Sequence, residues 1–324
     1  MKKRIWTLFA IINIVVVYLV VTSWVKSEEN DPETATAQVM PYQIKGIDIP
    51  DEMTFAGEEV PINRIDIRER LDRELLSNSY FHSNTLLLIK RANRYFPMMD
   101  TILRSEGVPE DFKYLALIES SLDPRAVSPA GAVGIWQFMK STGKDFGLEV
   151  DNEIDERYHI EKSTRAACEY FKKAYGRYGS WTLVAASYNI GQRRISEELS
   201  RQKVDNYYDL LLVDETSRYV FRILALKEIF KDPVSYGFNL KKEDLYPIVK
   251  MRKVVLNSSV SDFGLFAQEH DISYGILKEF NPWLRDSFLT NSQNKTYVID
   301  IPVKSYLTFN KRHIDVYQQN WVVR

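Results

Sequence analysis

The chain has 324 residues, of which 45% are hydrophobic and 13% aromatic, enough to form the core of one large domain or two modest ones. Its 43 basic and 44 acidic residues nearly cancel and no long Lys/Arg run occurs, so we expect no nucleic-acid partner. A single cysteine, Cys168, excludes an intramolecular disulfide, and the four histidines lack metal-ligand spacing, so we expect no metal and no cofactor.

The amino terminus has the pattern of a membrane segment. Lys2, Lys3 and Arg4 precede an uncharged, largely apolar run over residues 5–25. At about 1.5 Å per residue, a helix of this length just crosses a hydrocarbon core of about 30 Å. The basic flank should stay in the cytoplasm, so the rest of the chain is expected to be exported. A cleavable signal peptide is the alternative, but the apolar run is long and no small-x-small site is obvious. We predict an uncleaved anchor over residues 1–26, and membrane contact through it.

The next segment changes in composition. Residues 28–60 hold nine acidic residues and one basic residue, and Pro32, Pro41 and Pro50 interrupt any helical period. This composition is typical of an extended, solvated chain. We therefore predict an acidic linker over residues 27–60.

Two further regions follow the linker. Apolar residues recur at helical intervals over 61–240, which predicts an all-α domain. Over 247–304 the pattern changes to strand, helix, helix and strand, which predicts a small separate module. The predicted elements of this module are Val249–Leu256, Asp262–His270, Ser273–Phe280 and Tyr297–Ile301. The remaining residues, 305–324, form a C-terminal extension whose aromatic side chains suggest that it packs.

One residue of the all-α region does not fit its helix. Pro109 should open a helix in which Phe112, Leu115, Glu119 and Leu122 share one face. Glu119 thus falls on an apolar stripe. Burying an ionised carboxylate there costs several kcal/mol unless it is paired, so the expected response is a raised pKa and a retained proton. A carboxyl group of this kind is suited to act as a general acid.

Three strings in fixed order surround and follow this residue. They are IESSLDPRAVSPAGAVGIWQFM from Ile118, ASYNIG from Ala186, and ETSRYVFRILALKEI from Glu215. Together they resemble the signature regions of the membrane-bound lytic transglycosylase D type, a goose-lysozyme-like family that cleaves peptidoglycan. The resemblance covers roughly residues 65–235. It implies a lysozyme-like all-α catalytic domain in the periplasm, with peptidoglycan glycan strands as the partner.

The resemblance also implies roles for individual residues. Glu119 would be the sole catalytic acid and base. The implied cleft-lining residues are Gln137, Tyr188, Asn189, Glu215 and Tyr219, with Ser120 and Ser128 as weaker correspondences. Ser187 and Ile190 replace the family's usual alanines, which alters the floor of the site slightly. On the residues alone, Glu215 could equally be a helix N-terminal acid, and Tyr188 and Tyr219 could fill the core.

The number of carboxylates separates two mechanisms. An ordinary glycosidase needs a second carboxylate, about 5 Å away as a nucleophile or about 6.5–9.5 Å away to activate water. Asp123, four residues beyond Glu119, is the nearest candidate. The family does without one, because the C6 hydroxyl of N-acetylmuramic acid attacks C1 and gives a 1,6-anhydro end. A hydrolytic lysozyme and a non-catalytic, membrane-anchored cell-wall-binding protein remain the alternatives.

The distal module resembles a LysM domain. The string SSVSDFGLFAQEHDISYGILKEFNPWL, which includes Asn281, matches the two-helix core, and KTYVIDIP matches the last strand. The usual Gly-Asp opening and Pro-Gly closing turn are absent. The resemblance implies a βααβ fold, with glycan targeting and a purely packing or partner-binding role both open.

Overall fold

The computed structural model describes residues 45–323, which, apart from Lys45, belong to the compact unit Gly46–Arg324. The predicted anchor and most of the predicted linker lie outside the described residues. Within the part of the chain that is described, no helix is both long and apolar enough to span a bilayer.

Helices form most of the region that was predicted to be all-α. They are α1 (Ile65–Tyr80), α2 (His82–Ser105), α3 (Lys113–Ser120), α4 (Lys140–Asp145), α5 (Ile160–Tyr178), α6 (Trp181–Ile190), α7 (Gln192–Gln202) and α8 (Asp214–Lys231). Helix α8 is almost entirely buried along one side and packs against α1, α6 and the short α3. The predicted mainly α fold is confirmed. Because α3 lies against α8, residues on these two helices can meet in one site.

The ends of α3 follow from local backbone chemistry. Pro109 precedes a 3₁₀ turn, Glu110–Phe112, and that turn leads directly into α3. After Ser120 the chain does not continue as a helix, because Ser121 and Leu122 both have a φ of 55°. Left-handed backbone is unfavourable for non-glycine residues and ends the helix. Leu122 is fully buried as predicted, but it lies outside the helix.

The acidic-linker prediction is wrong for its last residues. Residues 54–59 form a small hairpin of β1 (Thr54–Phe55) and β2 (Glu58–Glu59), and Phe55 and Val60 are buried in the helical core. The Glu58 carboxylate accepts hydrogen bonds from the Thr182 backbone N–H at 2.9 Å and the Ser180 hydroxyl at 3.0 Å. An acidic side chain at a helix N-terminus satisfies free N–H groups and complements the dipole. Glu58 therefore caps α6, and the acidic composition of residues 54–59 does not indicate a solvated linker.

The distal module has the predicted βααβ order. Strands β3 (Met251–Leu256) and β4 (Tyr297–Pro302) pair antiparallel, with Met251 opposite Pro302 and Leu256 opposite Tyr297. Between them lie α9 (Phe263–Glu269) and α10 (Tyr274–Phe280). Asp262 and Ser273 cap these helices by accepting hydrogen bonds from backbone N–H groups of the first turn.

The C-terminal extension packs onto the helical domain. Trp321 is 1% exposed, lies among Phe96, Phe230 and Tyr317, and donates its indole N–H to the Phe230 carbonyl at 2.7 Å. The Lys113 ammonium, at the start of α3, donates to the Tyr317 hydroxyl at 2.8 Å. The extension is thus part of the core that supports α3.

We expect Trp321→Ala to lower the free energy of unfolding by about 3–5 kcal/mol, the usual cost of removing a buried Trp side chain. Urea denaturation of the full chain measures this value. Phe309→Ala is the matched control, because Phe309 is 68% exposed and its loss should change stability by about 0.5 kcal/mol or less. Equal effects of the two substitutions would show that the extension does not stabilise the domain.

Candidate active site

The site is centred on Glu119 in the last turn of α3. Its helix neighbours Leu115 and Ala116 are fully buried, and the Glu119 side chain itself is half-buried. Burial raises the pKa of Glu119 from 4.5 to about 7, since the charged form is disfavoured away from water. A hydrogen bond from Tyr219 opposes this rise, and the charge of Glu215 adds to it. A carboxyl group with a pKa near 7 can still hold a proton at neutral pH.

Tyr219 on α8 is the residue that orients the carboxyl group. Its hydroxyl donates to Glu119 Oε1 at 2.6 Å, a length typical of a hydrogen bond to a charged acceptor. The ring is 2% exposed, and burial, followed by the charge of Glu119, raises the pKa of Tyr219 well above its ordinary value of 10. The phenol therefore stays protonated and keeps its role as donor. The contact joins α8 to α3 at the acid.

Tyr188 on α6 supports the same site through a different contact. Its hydroxyl donates to the Trp136 carbonyl at 2.7 Å, and its ring packs edge-on against Tyr170. Burial, followed by the charge of Glu119, raises the pKa of Tyr188 well above 10. The charge of Glu119 thus acts on Tyr188, and the Tyr188 hydroxyl binds the chain at Trp136.

That loop, residues 126–139, has a constrained backbone and is called the catalytic loop below. Gly134 has a φ of +81°, and a Cβ there would lie 2.0 Å from the Arg157 carbonyl oxygen, so only glycine fits. Gln137 has a φ of 50° without being glycine, and its side-chain amide donates to the carbonyls of Gly134 at 2.8 Å and Ala126 at 3.2 Å. The two hydrogen bonds from the Gln137 side-chain amide therefore stabilise the conformation of the loop. Strained backbone of this kind is often found at functional sites.

Two serines also hold the loop. Ser120, next to the acid, donates its hydroxyl to the Ile135 carbonyl at 2.8 Å. Ser128 accepts a hydrogen bond from the Ala132 N–H at 3.0 Å, within the turn that contains Gly131. The serines therefore fix the loop shape, and Ser120 ties it to α3.

The other two predicted site residues lie at neighbouring helix ends. Asn189 is close to the C-terminal end of α6, and its Oδ1 atom is buried with no hydrogen-bond partner among the described residues. Such an atom is a candidate for contact with a ligand. Glu215 is exposed in the first turn of α8 and acts on Glu119 through its charge.

The Asp123 carboxylate is engaged by Arg91 and by the Arg125 backbone. It lies 3.6 Å from the Arg91 guanidinium and accepts the Arg125 backbone N–H at 2.9 Å. The spacing of four residues would place it beside Glu119 only on a continuous helix, and α3 ends at Ser120. The left-handed residues that follow redirect the chain.

Sequence reasoning missed the pair of Asp155 and Arg157. Their side chains are 9% and 8% exposed, and the Arg157 Nη1 group donates to the carbonyls of Gly131 at 3.2 Å and Phe138 at 3.1 Å in the catalytic loop. An Asp-x-Arg spacing alone carries no signal of burial. No group of three or more His, Cys, Asp or Glu side chains in residues 45–323 could hold a metal ion.

Comparison with known families agrees with this geometry. Residues 100–210 match the family described as "Transglycosylase SLT domain", and residues 252–305 match "Soluble lytic transglycosylase C-terminal LysM-like domain". The chain carries an SLT domain followed by a LysM-like domain. Glu119, the catalytic loop and Asn189 all lie within the matched SLT range. The resemblance noted from the sequence is confirmed.

Individual relatives extend the comparison. "Membrane-bound lytic murein transglycosylase D" of Escherichia coli (strain K12) is 32% identical over 247 residues, covering 74% of this chain and 53% of that protein. "Peptidoglycan transglycosylase gp16" of Escherichia phage T7 is 31% identical over 136 residues, covering 40% of this chain and 10% of that protein. The chain therefore spans about half the length of the first relative. The solved structure of the 70-kDa soluble lytic transglycosylase of Escherichia coli is 22% identical to this chain and has a TM-score of 0.36. The match covers 42% of this chain and 24% of that protein.

We expect Tyr219→Phe to raise the pKa of Glu119 above about 7. The lost hydroxyl donates to the carboxylate and so stabilises its charged form; a bond of about 1.5–3 kcal/mol corresponds to roughly one to two pH units. A pH titration of side-chain ¹³C-labelled Glu, assigned by its loss in Glu119→Gln, measures the value. Tyr188→Phe is the control and should leave the pKa near that of the wild type, because its hydroxyl serves the Trp136 carbonyl. A Tyr219→Phe titration that coincides with the wild type would contradict the assigned contact.

Proposed function

We propose that the protein is a peptidoglycan lytic transglycosylase that cleaves the MurNAc-GlcNAc β-1,4 bond with Glu119 as its single acid and base. The observation that carries the proposal is the Glu119 carboxyl group, which is desolvated, has a pKa of about 7 and is oriented by Tyr219. The SLT domain match and the murein transglycosylase relative support the substrate class.

The first step is proton donation. Protonated Glu119 gives its proton to the glycosidic oxygen, the bond from C1 of MurNAc to that oxygen breaks, and the GlcNAc fragment leaves with a 4-hydroxyl group. A pKa near the working pH suits this task, because the acid is protonated often enough and still gives up its proton readily.

The second step uses the same residue as a base. Glu119, now a carboxylate, takes the proton of the C6 hydroxyl as that oxygen bonds to C1, which closes the 1,6-anhydro ring. The substrate supplies its own nucleophile, so this chemistry needs neither a second carboxylate nor a water molecule. The engagement of Asp123 with Arg91 and the Arg125 backbone fits a site with one working acid. After both steps Glu119 carries its proton again.

The remaining site residues are proposed to bind the sugar rings. Asn189 offers its unpaired Oδ1 atom to a sugar N–H or hydroxyl group, and Glu215 stands exposed at the neighbouring helix end. Tyr188, Gln137 and Ser128 bound the cleft while holding the catalytic loop.

The location follows from the same proposal. We place the protein in the cell envelope, with the catalytic domain in the periplasm and residues 1–26 as a membrane anchor. The relative described as membrane-bound supports this location, as does the apolar run after Lys2, Lys3 and Arg4. The LysM-like domain would add a glycan contact that keeps the enzyme on its polymer. We propose domain boundaries at 61–240 and 247–304, with the hairpin of residues 54–59 packed against the first domain.

Analysis of the cleavage products tests the proposal. Purified full-length protein should release muropeptides with 1,6-anhydro ends, which mass spectrometry distinguishes as one water lighter than reducing-end products. Glu119→Gln should lower release by about 10³-fold or more, within the range of a lost general acid. Asp123→Asn is the control and should stay within about threefold of the wild type.

The two alternative functions give different outcomes in the same assay. Reducing ends, together with loss of activity in Asp123→Asn, would identify a hydrolytic lysozyme. No release by the wild-type protein, with retained binding to cell wall, would identify a binding protein without catalysis.

A further inference from the structure

The LysM-like domain shares a hydrophobic core with the catalytic domain. Val133 from the catalytic loop, and Ile154 and Tyr158 from the segment before α5, are buried in the cluster that forms the core of the distal module. The module contributes Phe263, Leu277, Trp283, Leu284, Leu289, Tyr297, Ile299 and Ile301 to this cluster. A module attached only as a flexible glycan tether would have a core of its own. The shared core fixes it beside the catalytic loop.

Backbone hydrogen bonds reinforce this attachment. Ile154 and Leu284 form an antiparallel bridge. On either side of it, the Asp155 N–H donates to the Trp283 carbonyl at 2.9 Å, and the Arg285 N–H donates to the Glu153 carbonyl at 2.7 Å. The segment 153–155 therefore pairs with 283–285 like two short strands. Main-chain pairing of this kind sets the position of both segments.

Aromatic contacts cover the same junction. The Arg285 guanidinium lies 4.2 Å from the centre of the Tyr158 ring, a cation–π distance. The rings of Trp283 and His159 are 5.6 Å apart. Trp283 is 3% exposed and is the largest buried side chain that the module contributes to the junction.

From this junction a chain of contacts leads to the catalytic loop. The Asp155 carboxylate accepts two hydrogen bonds from Arg157, at 2.9 Å from Nε and 2.7 Å from Nη2. Arg157 in turn donates to the carbonyls of Gly131 and Phe138, at opposite ends of the loop turn. A Cβ added at Gly134 would lie 2.0 Å from the Arg157 carbonyl oxygen, so the loop packs directly against the Arg157 backbone.

The same loop contacts α3, which carries the acid, and Tyr188 on α6. Ser120 donates to the Ile135 carbonyl at 2.8 Å, and Tyr188 donates to the Trp136 carbonyl at 2.7 Å. A shift of the loop would therefore disturb Ser120, which is next to Glu119 in α3, and Tyr188. Misplacement of a catalytic group by about 1 Å can lower a rate by about 10²-fold.

We propose that the LysM-like domain positions the catalytic loop through Trp283, Asp155 and Arg157, as a function separate from any glycan that it binds. This inference rests on the proposed transglycosylase function. Trp283 and Arg157 are positioning residues, because they act on the reaction only through the loop.

The test uses the full chain with two substrates, a short, peptide-free glycan oligomer and polymeric peptidoglycan. Trp283→Ala removes the central contact. The double variant Asp155→Asn/Arg157→Met removes both buried charges together, so that neither is left unpaired, and Arg157→Lys keeps one donor and the charge. Controls are Leu265→Ser, at a 59% exposed position of α9, and Arg165→Lys, whose surface partners include Glu106 at 2.9 Å.

We expect Trp283→Ala and the double variant to lower kcat by about 10–100-fold with KM within about threefold, and Arg157→Lys to recover part of the loss. Hydrogen exchange of peptides covering 126–139 should be faster in the same variants, while α1 and α8 stay protected. Both controls should match the wild type.

Three results would overturn the inference. One is a wild-type kcat on the short substrate in folded Trp283→Ala and double variants. Another is a loss confined to polymeric peptidoglycan, since this would show that the module acts only by recruiting glycan. The third is a rise in KM alone. If the wild-type protein forms no anhydro products at all, the proposed function fails instead, so the two failures are distinguishable.

Discussion

The structure depends on holding one carboxyl group, that of Glu119, half-buried and next to a single phenol. Burial raises its pKa to about 7, and the Tyr219 hydroxyl at 2.6 Å determines which way it points. Because the pKa of Glu119 is raised from 4.5 to about 7 in the folded protein, the free energy of unfolding falls as pH rises between these two values, and the loss is complete above about pH 7. Such a cost is common where activity requires a strained or desolvated group.

Much of the supporting architecture brings helix ends to this carboxyl group. Helix α3 stops one residue after Glu119, at a pair of left-handed residues, and the chain then forms the catalytic loop. Tyr219 near the start of α8 contacts the acid, and Tyr188 near the end of α6 contacts the catalytic loop. The hairpin caps α6 through Glu58, and the C-terminal extension contacts the start of α3 through Tyr317. Segments that are distant in sequence thus stabilise the helices around Glu119.

The sequence predicted the features that depend on local pattern and motif order. The position of Glu119 on an apolar helix face predicted its raised pKa, and the order of strand and helix patterns predicted the βααβ module. It could not reveal that Asp155 and Arg157 are buried together, since this depends on contacts with Phe138 and Trp283 that are remote in the chain. The hairpin was missed because its acidic composition masks two core residues, Phe55 and Val60. Helical periodicity placed Asp123 on the same face as Glu119, but periodicity does not show that α3 ends at Ser120, before Asp123 is reached.

The central claim is that one carboxyl group performs both proton transfers, and the pH dependence of kcat/KM on a short, peptide-free glycan tests it most directly. The reaction begins only from protonated Glu119, so activity should fall as pH rises through its pKa of about 7, with the slope of a single group. No acid limb should occur at lower pH while the protein stays folded. A bell-shaped profile with an acid limb near pH 4 would require a second, ionised carboxylate and would contradict the account, as would activity that persists unchanged above about pH 9.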